Sequence, residues 1–148
     1  LRPTQVDIDP PAPIAAPQSV PLSKGTMVIV ANSTNRSLAY LGQVEADAPE
    51  PGDIIINCWN SYGTGALHTR RFERAFWSEV EQVEVFSSHP PPGFEPYTSC
   101  ISKADVLLSG FKLTPTQRLS EAVLADLRRL GRGFPIARAA RVIGVRTR

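Results

Sequence analysis

The chain is short of the residues that catalysis, metals and membranes require, and each shortage narrows its class. Cysteine occurs twice in 148 residues, as Cys58 and Cys100, too few for a disulfide framework. Cys58 lies in a run that reads as a buried strand, where a small core residue is the simplest role. Histidine also occurs twice, as His68 and His89. Together these four side chains lack the closely spaced Cys and His pairs of zinc sites, so no metal and no cofactor are expected. No glycine-rich phosphate loop follows a strand, there is no serine elbow, and nothing marks either cysteine as activated. The chain is therefore read as a non-enzyme. Glu45, Asp47, Asp53, Glu79 and Glu81 fall in turns or at strand ends, where a solvated surface is the ordinary role. No apolar run approaches the roughly 18 residues of a membrane span, and no signal-peptide core is visible. A soluble intracellular protein without a membrane partner is the reading. The first residue is Leu1 rather than Met, which suggests a fragment of a protein or a piece of a polyprotein.

Acidic residues are missing altogether after Asp126, yet seven arginines follow it: Arg128, Arg129, Arg132, Arg138, Arg141, Arg146 and Arg148. The net charge of +2 conceals this asymmetry. A one-signed stretch either keeps the chain soluble or attracts phosphate and acidic surfaces.

Proline is concentrated at the other end, with six of the 14 in the first 21 residues. Proline has no N–H and disfavours helix at the residue before it, so 1–23 reads as an extended linker. Residues 24–113 then carry five short apolar runs: Met27–Ala31, Leu38–Val44, Ile54–Trp59, Phe72–Trp77 and Val83–Phe86. Turn-forming clusters at Asn32–Asn35, Pro49–Asp53 and Gly63–Gly65 separate them. Short strands this close together, with no helical pattern between, predict a mainly β fold: a small five-stranded barrel. Gly42 inside the second run suggests a bulge or a sharp bend, and Ser78–Glu81 a single 3-10 turn. Pro90, Pro91 and Pro92 force the chain out of the barrel. Phe94–Tyr97 is read as docking back, and Ala104–Leu108 as one further strand. Residues 114–131 read as an amphipathic helix with Thr114 as cap and Pro115 at the first position, Ser120 being the alternative cap. Its stripe of Leu119, Val123, Leu124, Leu127 and Leu130 should pack on the barrel or on a protein partner, and Gly131 stops it. Residues 132–148 form a basic tail expected to be poorly ordered.

Two constellations are candidates for binding. Tyr40, Trp59, Tyr62 and Trp77, with Phe76 nearby, lie on or just after strands whose ends can converge at one rim of a five-stranded barrel. Rings converging there would cage a methylated ammonium by cation–π attraction; the alternative is that they fill the core. Tyr62, in a Ser/Gly-rich loop, reads as exposed. The second is basic: Lys24, Arg36, His68, Arg70, Arg71 and Arg74, joined by Arg128, Arg129 and Arg132. Cations interleaved with aromatics suit a nucleic-acid backbone, or else an ordinary charged face.

The ordered segments G-T-M-V-I-V, L-A-Y-L-G-Q-V, I-I-I-N-C-W-N-S-Y-G and R-R-F-E-R-A-F-W resemble the SH3-like folds of chromo-barrel, Tudor and integrase C-terminal domains. The spacing of Tyr40, Trp59 and Tyr62 is similar to that of chromo-barrel readers of methyl-lysine. With P-P-G-F-E-P-Y-T and S-G-F-K-L-T further on, residues 25–130 resemble the region after the integrase core in retrotransposon polyproteins. That resemblance implies a nuclear, non-catalytic module that binds DNA or chromatin. A histone-peptide reader and a protein–protein scaffold are the alternatives.

Overall fold

The computed structural model describes residues 22–62 and 65–134. The proline-rich linker up to residue 21 and the arginines beyond Phe134 lie outside the described residues. The described part is mainly β, with eight strands and one helix: β1 (Met27–Ala31), β2 (Ala39–Asp47), β3 (Asp53–Asn60), β4 (Glu73–Ser78), β5 (Val83–Phe86), β6 (Glu95–Pro96), β7 (Thr98–Ser102), β8 (Val106–Phe111) and α1 (Glu121–Leu130). The five strands expected for the barrel and the further strand after it, now β8, are joined by two more, because the chain returns to the sheet after its three prolines as β6 and β7. Every pairing between these strands is antiparallel and the hydrogen-bonded order is β5-β4-β3-β2-β1-β8, with β6 on β4 and β7 on β3. This path is open: no pairing among the described residues joins β5 to β8 and closes a barrel.

The continuous apolar run of β1 is explained by burial on both faces. Met27 and Ile29 join Ala39, Leu41 and Phe72 in a core beneath α1, whose Val123, Leu124 and Leu127 complete it with Leu119. Val28 and Val30 point the other way, into a second core with Val44, Ile54, Ile56, Ile101 and Val106. Strands β1, β2, β3, β7 and β8 all contribute to that second core without any helix over it, so the sheet curls around its own side chains. The period of two along β1 thus serves two cores at once.

Gly42 is not a bulge: it pairs in register with both Val28 and Cys58. A Cβ there would sit 2.6 Å from Ile56 Cδ1 and 3.3 Å from the Asn57 carbonyl oxygen. Glycine is needed for close approach between β2 and β3. The register slip falls instead between Val44 and Ala46. The turn after β4 is not a 3-10 turn but a tight hairpin, closed by the Gln82 N–H donating to the Ser78 carbonyl (2.7 Å), with Gln82 at a left-handed φ of 57°.

The helix starts at the alternative cap. Ser120 Oγ accepts the Val123 N–H, and Gly131 ends the helix at φ 66°. There the Gly131 and Arg132 N–H groups bond the Arg128 and Leu127 carbonyls, a pattern that satisfies the last turn. Thr114 does not cap it, because Thr114–Gln117 is consumed in a turn of its own. Gln117 takes a left-handed φ of 63° and grips Phe72 twice, its carbonyl accepting the Phe72 N–H (2.8 Å) and its Nε2 donating to the Phe72 carbonyl (3.0 Å). Those two bonds fix the entry to β4 against the segment before α1. The apolar stripe of α1 is accordingly spent on the chain's own sheet. Among the described residues no helix is long and apolar enough to cross a membrane.

Candidate functional site

The decisive junction is where β3 and β4 part. They pair only at Trp59–Arg74 and Asn60–Glu73, then splay apart, and β6 and β7 enter the opening. The Tyr97 N–H donates to the Ala75 carbonyl (2.9 Å), and the Tyr97 carbonyl accepts the Cys58 N–H (2.9 Å). Asn57 sits at this fork with no exposed surface. Its Nδ2 lies 3.1–3.2 Å from the carbonyl oxygens of Cys58, Ala75 and Tyr97, and its Oδ1 accepts from Arg74 Nε (3.2 Å). A buried amide is tolerated here because both of its ends are satisfied.

The fork decides where the aromatic residues go. Tyr97 is carried to the surface, 42% exposed, and stacks on Trp77 with centroids 6.1 Å apart and planes 29° apart. Trp77 Nε1 donates to Glu79 Oε1 (3.1 Å). Tyr97 also lines a groove of about 280 Å³ with Tyr40, Cys58 and Ser99, walled by the Asn32–Thr34 loop. Asn32 Oδ1 shapes that wall by accepting the N–H groups of Thr34 (2.8 Å) and Asn35 (3.1 Å). Burial raises the Tyr40 hydroxyl pKa, with the nearby Cys58 adding to the effect and a hydrogen bond with Ser99 opposing it. Burial, reinforced by Glu84, pushes the Cys58 thiol up to about 12. Cys58 is therefore protonated at neutral pH and poorly suited to nucleophilic work. It is half-buried rather than a full core residue.

A cage of Tyr40, Trp59 and Tyr62 is not formed. Trp59 is the cross-strand neighbour of Leu41 and packs with it against the α1 core, whereas Tyr40 packs against the second core. The two rings lie on opposite faces because the side-chain period along β2 and β3 is two. Tyr62 is 44% exposed as expected, but its ring packs on Phe86 at 4.8 Å and its hydroxyl accepts the Phe86 N–H (2.9 Å). Tyr40 and Trp77 are the two expected aromatics that share a surface, linked through Tyr97. Tyr97, between β6 and β7, was not singled out from sequence because the segment after three prolines read only as docking back; the signal was Pro96, which strands tolerate at edges.

The basic candidates are dispersed. Lys24 is exposed at the turn before β1 and His68 on a 3-10 turn, Leu67–Thr69. Arg36 pairs with Asp105 (2.9 Å). Arg70 is buried, with Nε donating to the Gly65 carbonyl (3.3 Å), and burial lowers its pKa. Arg71 reaches Gln117 Oε1 (3.1 Å) and Glu73 (3.7 Å). Arg74 is held by Asn57, by Glu45 (3.6 Å) and over the Phe76 ring (5.8 Å). Arg128 and Arg129 are exposed in the last turn of α1, Arg129 paired with Asp126. Arg132 Nε is buried without a hydrogen-bond partner among the described residues. Arg118, not singled out from sequence, joins the His68–Arg71 side by donating to the Thr69 carbonyl (3.3 Å). Across the described residues, eleven Lys and Arg stand against twelve Asp and Glu, a formal charge of −1. No group of three or more potential metal ligands occurs among them.

Comparison of the chain with family models, with curated proteins and with solved structures finds no significant match in any of the three.

Proposed function

We propose that this chain is a non-catalytic nucleic-acid-binding module of an integrase-like retroelement protein, acting on DNA or chromatin in the nucleus. Its curled sheet would be an elaborated SH3-like barrel, with β1–β5 as the original five strands and β6–β8 as additions. The observation that carries the reading is the distribution of charge. The described body is slightly acidic, while everything after Asp126 is cationic, beginning with Arg128 and Arg129 on the exposed last turn of α1. Phosphate contact therefore belongs to the run that opens at Arg128, not to residues 68–74, whose arginines are engaged within the fold. Such contacts neutralise phosphates with little reading of bases, so affinity should fall steeply with salt. In an ordinary structural role, Arg128 and Arg129 would only offset the negative end of the helix dipole. The two roles separate on titration of duplex DNA with Arg128→Gln/Arg129→Gln: weakened binding at unchanged thermal stability supports the interface, and unchanged binding removes it.

A further inference from the structure

The face around the β3–β4 fork carries chemistry opposite to the arginine run. Trp77 lies directly across from Glu84 on β5 and from Glu95 on β6. Residues opposite each other in an antiparallel pair share a face, so the indole is flanked on both sides by carboxylates. Glu79 holds the indole N–H from a third direction. Tyr97 stacks on this Trp and opens into the groove with Tyr40, Cys58 and Ser99. Glu84 acts on both Tyr97 and Cys58, raising their pKa values after burial has done so, which places its charge beside the groove. Glu95 is exposed, and no ion pair engages it among the described residues.

We infer that this face, the Trp77–Tyr97 stack with the groove beside it, is a docking surface for an arginine-bearing peptide of a partner protein, with a guanidinium lying on the stack between Glu84 and Glu95. Charge complementarity selects a cationic occupant. The ring geometry selects among cations. Two stacked rings with planes 29° apart leave the outer side of the exposed Tyr97 open, which suits a planar guanidinium that stacks while donating to carboxylates at its edge. A methylated ammonium calls for rings on several sides, whereas Trp59 packs against the α1 core and Tyr62 is held on Phe86 by its ring and its hydroxyl. The module would thus present two surfaces of opposite charge, one to phosphate and one to a basic protein segment.

The test is calorimetric titration of the full chain with a short arginine-containing peptide and with the same peptide carrying citrulline at each arginine. Citrulline keeps the shape and removes the charge. The arginine peptide should bind and shift the Trp77 indole resonance while leaving that of Trp59 in place. Glu95→Gln, an exposed substitution that leaves the fold intact, should weaken binding about tenfold, the loss of one charge-assisted bond. Glu84→Gln should act in the same direction. Absence of binding, equal binding of the citrulline peptide, equal binding by Glu95→Gln, or tighter binding of a trimethyl-lysine peptide would each overturn the assignment.

Discussion

Replacing Asn57 should reveal how much of the fold depends on one buried amide. Asn57→Ala removes two Nδ2 hydrogens shared among the carbonyls of Cys58, Ala75 and Tyr97, and the acceptor for Arg74 Nε. The stranded groups are not all orphaned. The Ala75 carbonyl keeps the Tyr97 N–H, the Tyr97 carbonyl keeps the Cys58 N–H, and Arg74, with 41% of its side chain exposed, can reach water. The loss is then two to three net hydrogen bonds plus a small cavity, about 2–4 kcal/mol in all. Asn57→Asp is the sharper perturbation, since it conserves volume but turns a donor into an acceptor facing three carbonyl oxygens. That environment disfavours the carboxylate and raises its pKa in the folded state. A raised carboxyl pKa means the folded state holds the proton more tightly than the unfolded state. Stability should therefore be poor at neutral pH and recover as pH falls toward the folded pKa. Urea unfolding followed by tryptophan fluorescence gives both values. A midpoint for Asn57→Asp equal to wild type at pH 7, or one that does not improve on acidification relative to wild type, would refute the reasoning.

Gly42→Ala should destabilise by about 1–3 kcal/mol through overpacking, because the new methyl meets Ile56 Cδ1 at 2.6 Å and the backbone oxygen of Asn57 at 3.3 Å; a thermal midpoint equal to wild type would show that Ile56 yields freely. The Cys58 thiol, pushed up to about 12 from an ordinary 9.0, holds its proton more tightly when folded, so stability is intact below pH 9 and declines as pH rises toward 12. Tyr40 and Tyr97 are shifted in the same direction and add to that decline, so Cys58→Ala should lessen the slope without abolishing it. Thiol labelling near pH 8 should accordingly find Cys100, which is exposed, reacting well before Cys58.

The strands β1 and β5 were readable to the residue, because their apolar runs end at turn-forming clusters and both faces of β1 are buried. The helix stripe was legible for the same reason: Val123, Leu124 and Leu127 recur at helical spacing and all reach the core. Its start was not, since Thr114-Pro115-Thr116-Gln117 satisfies a capping pattern locally while the left-handed Gln117 is held by the distant backbone of Phe72. The strands β6 and β7 were hidden for a comparable reason. Their residues, Glu95–Pro96 and Thr98–Ser102, are mostly exposed and polar, so only the hydrogen bonds at the fork define them as strands. The aromatic residues were visible as residue types, but their grouping depended on which face each one takes. That in turn follows from the cross-strand pairing, Trp59 opposite Leu41 rather than Tyr40, and from a fork in the sheet, neither of which composition or periodicity along one strand encodes.

The central claim, that phosphate contact resides in the run beginning at Arg128, is tested most directly by the salt dependence of duplex DNA binding. For the intact chain, the logarithm of affinity should fall linearly with the logarithm of salt, with a slope near −0.9 for each phosphate neutralised. Arg128→Gln/Arg129→Gln should make that slope shallower, by up to about two contacts, and Arg36→Gln should leave it unchanged, since Arg36 lies outside the cationic run. Salt-independent binding, no binding at low salt, or a slope that responds to Arg36 but not to Arg128 and Arg129 would contradict the account.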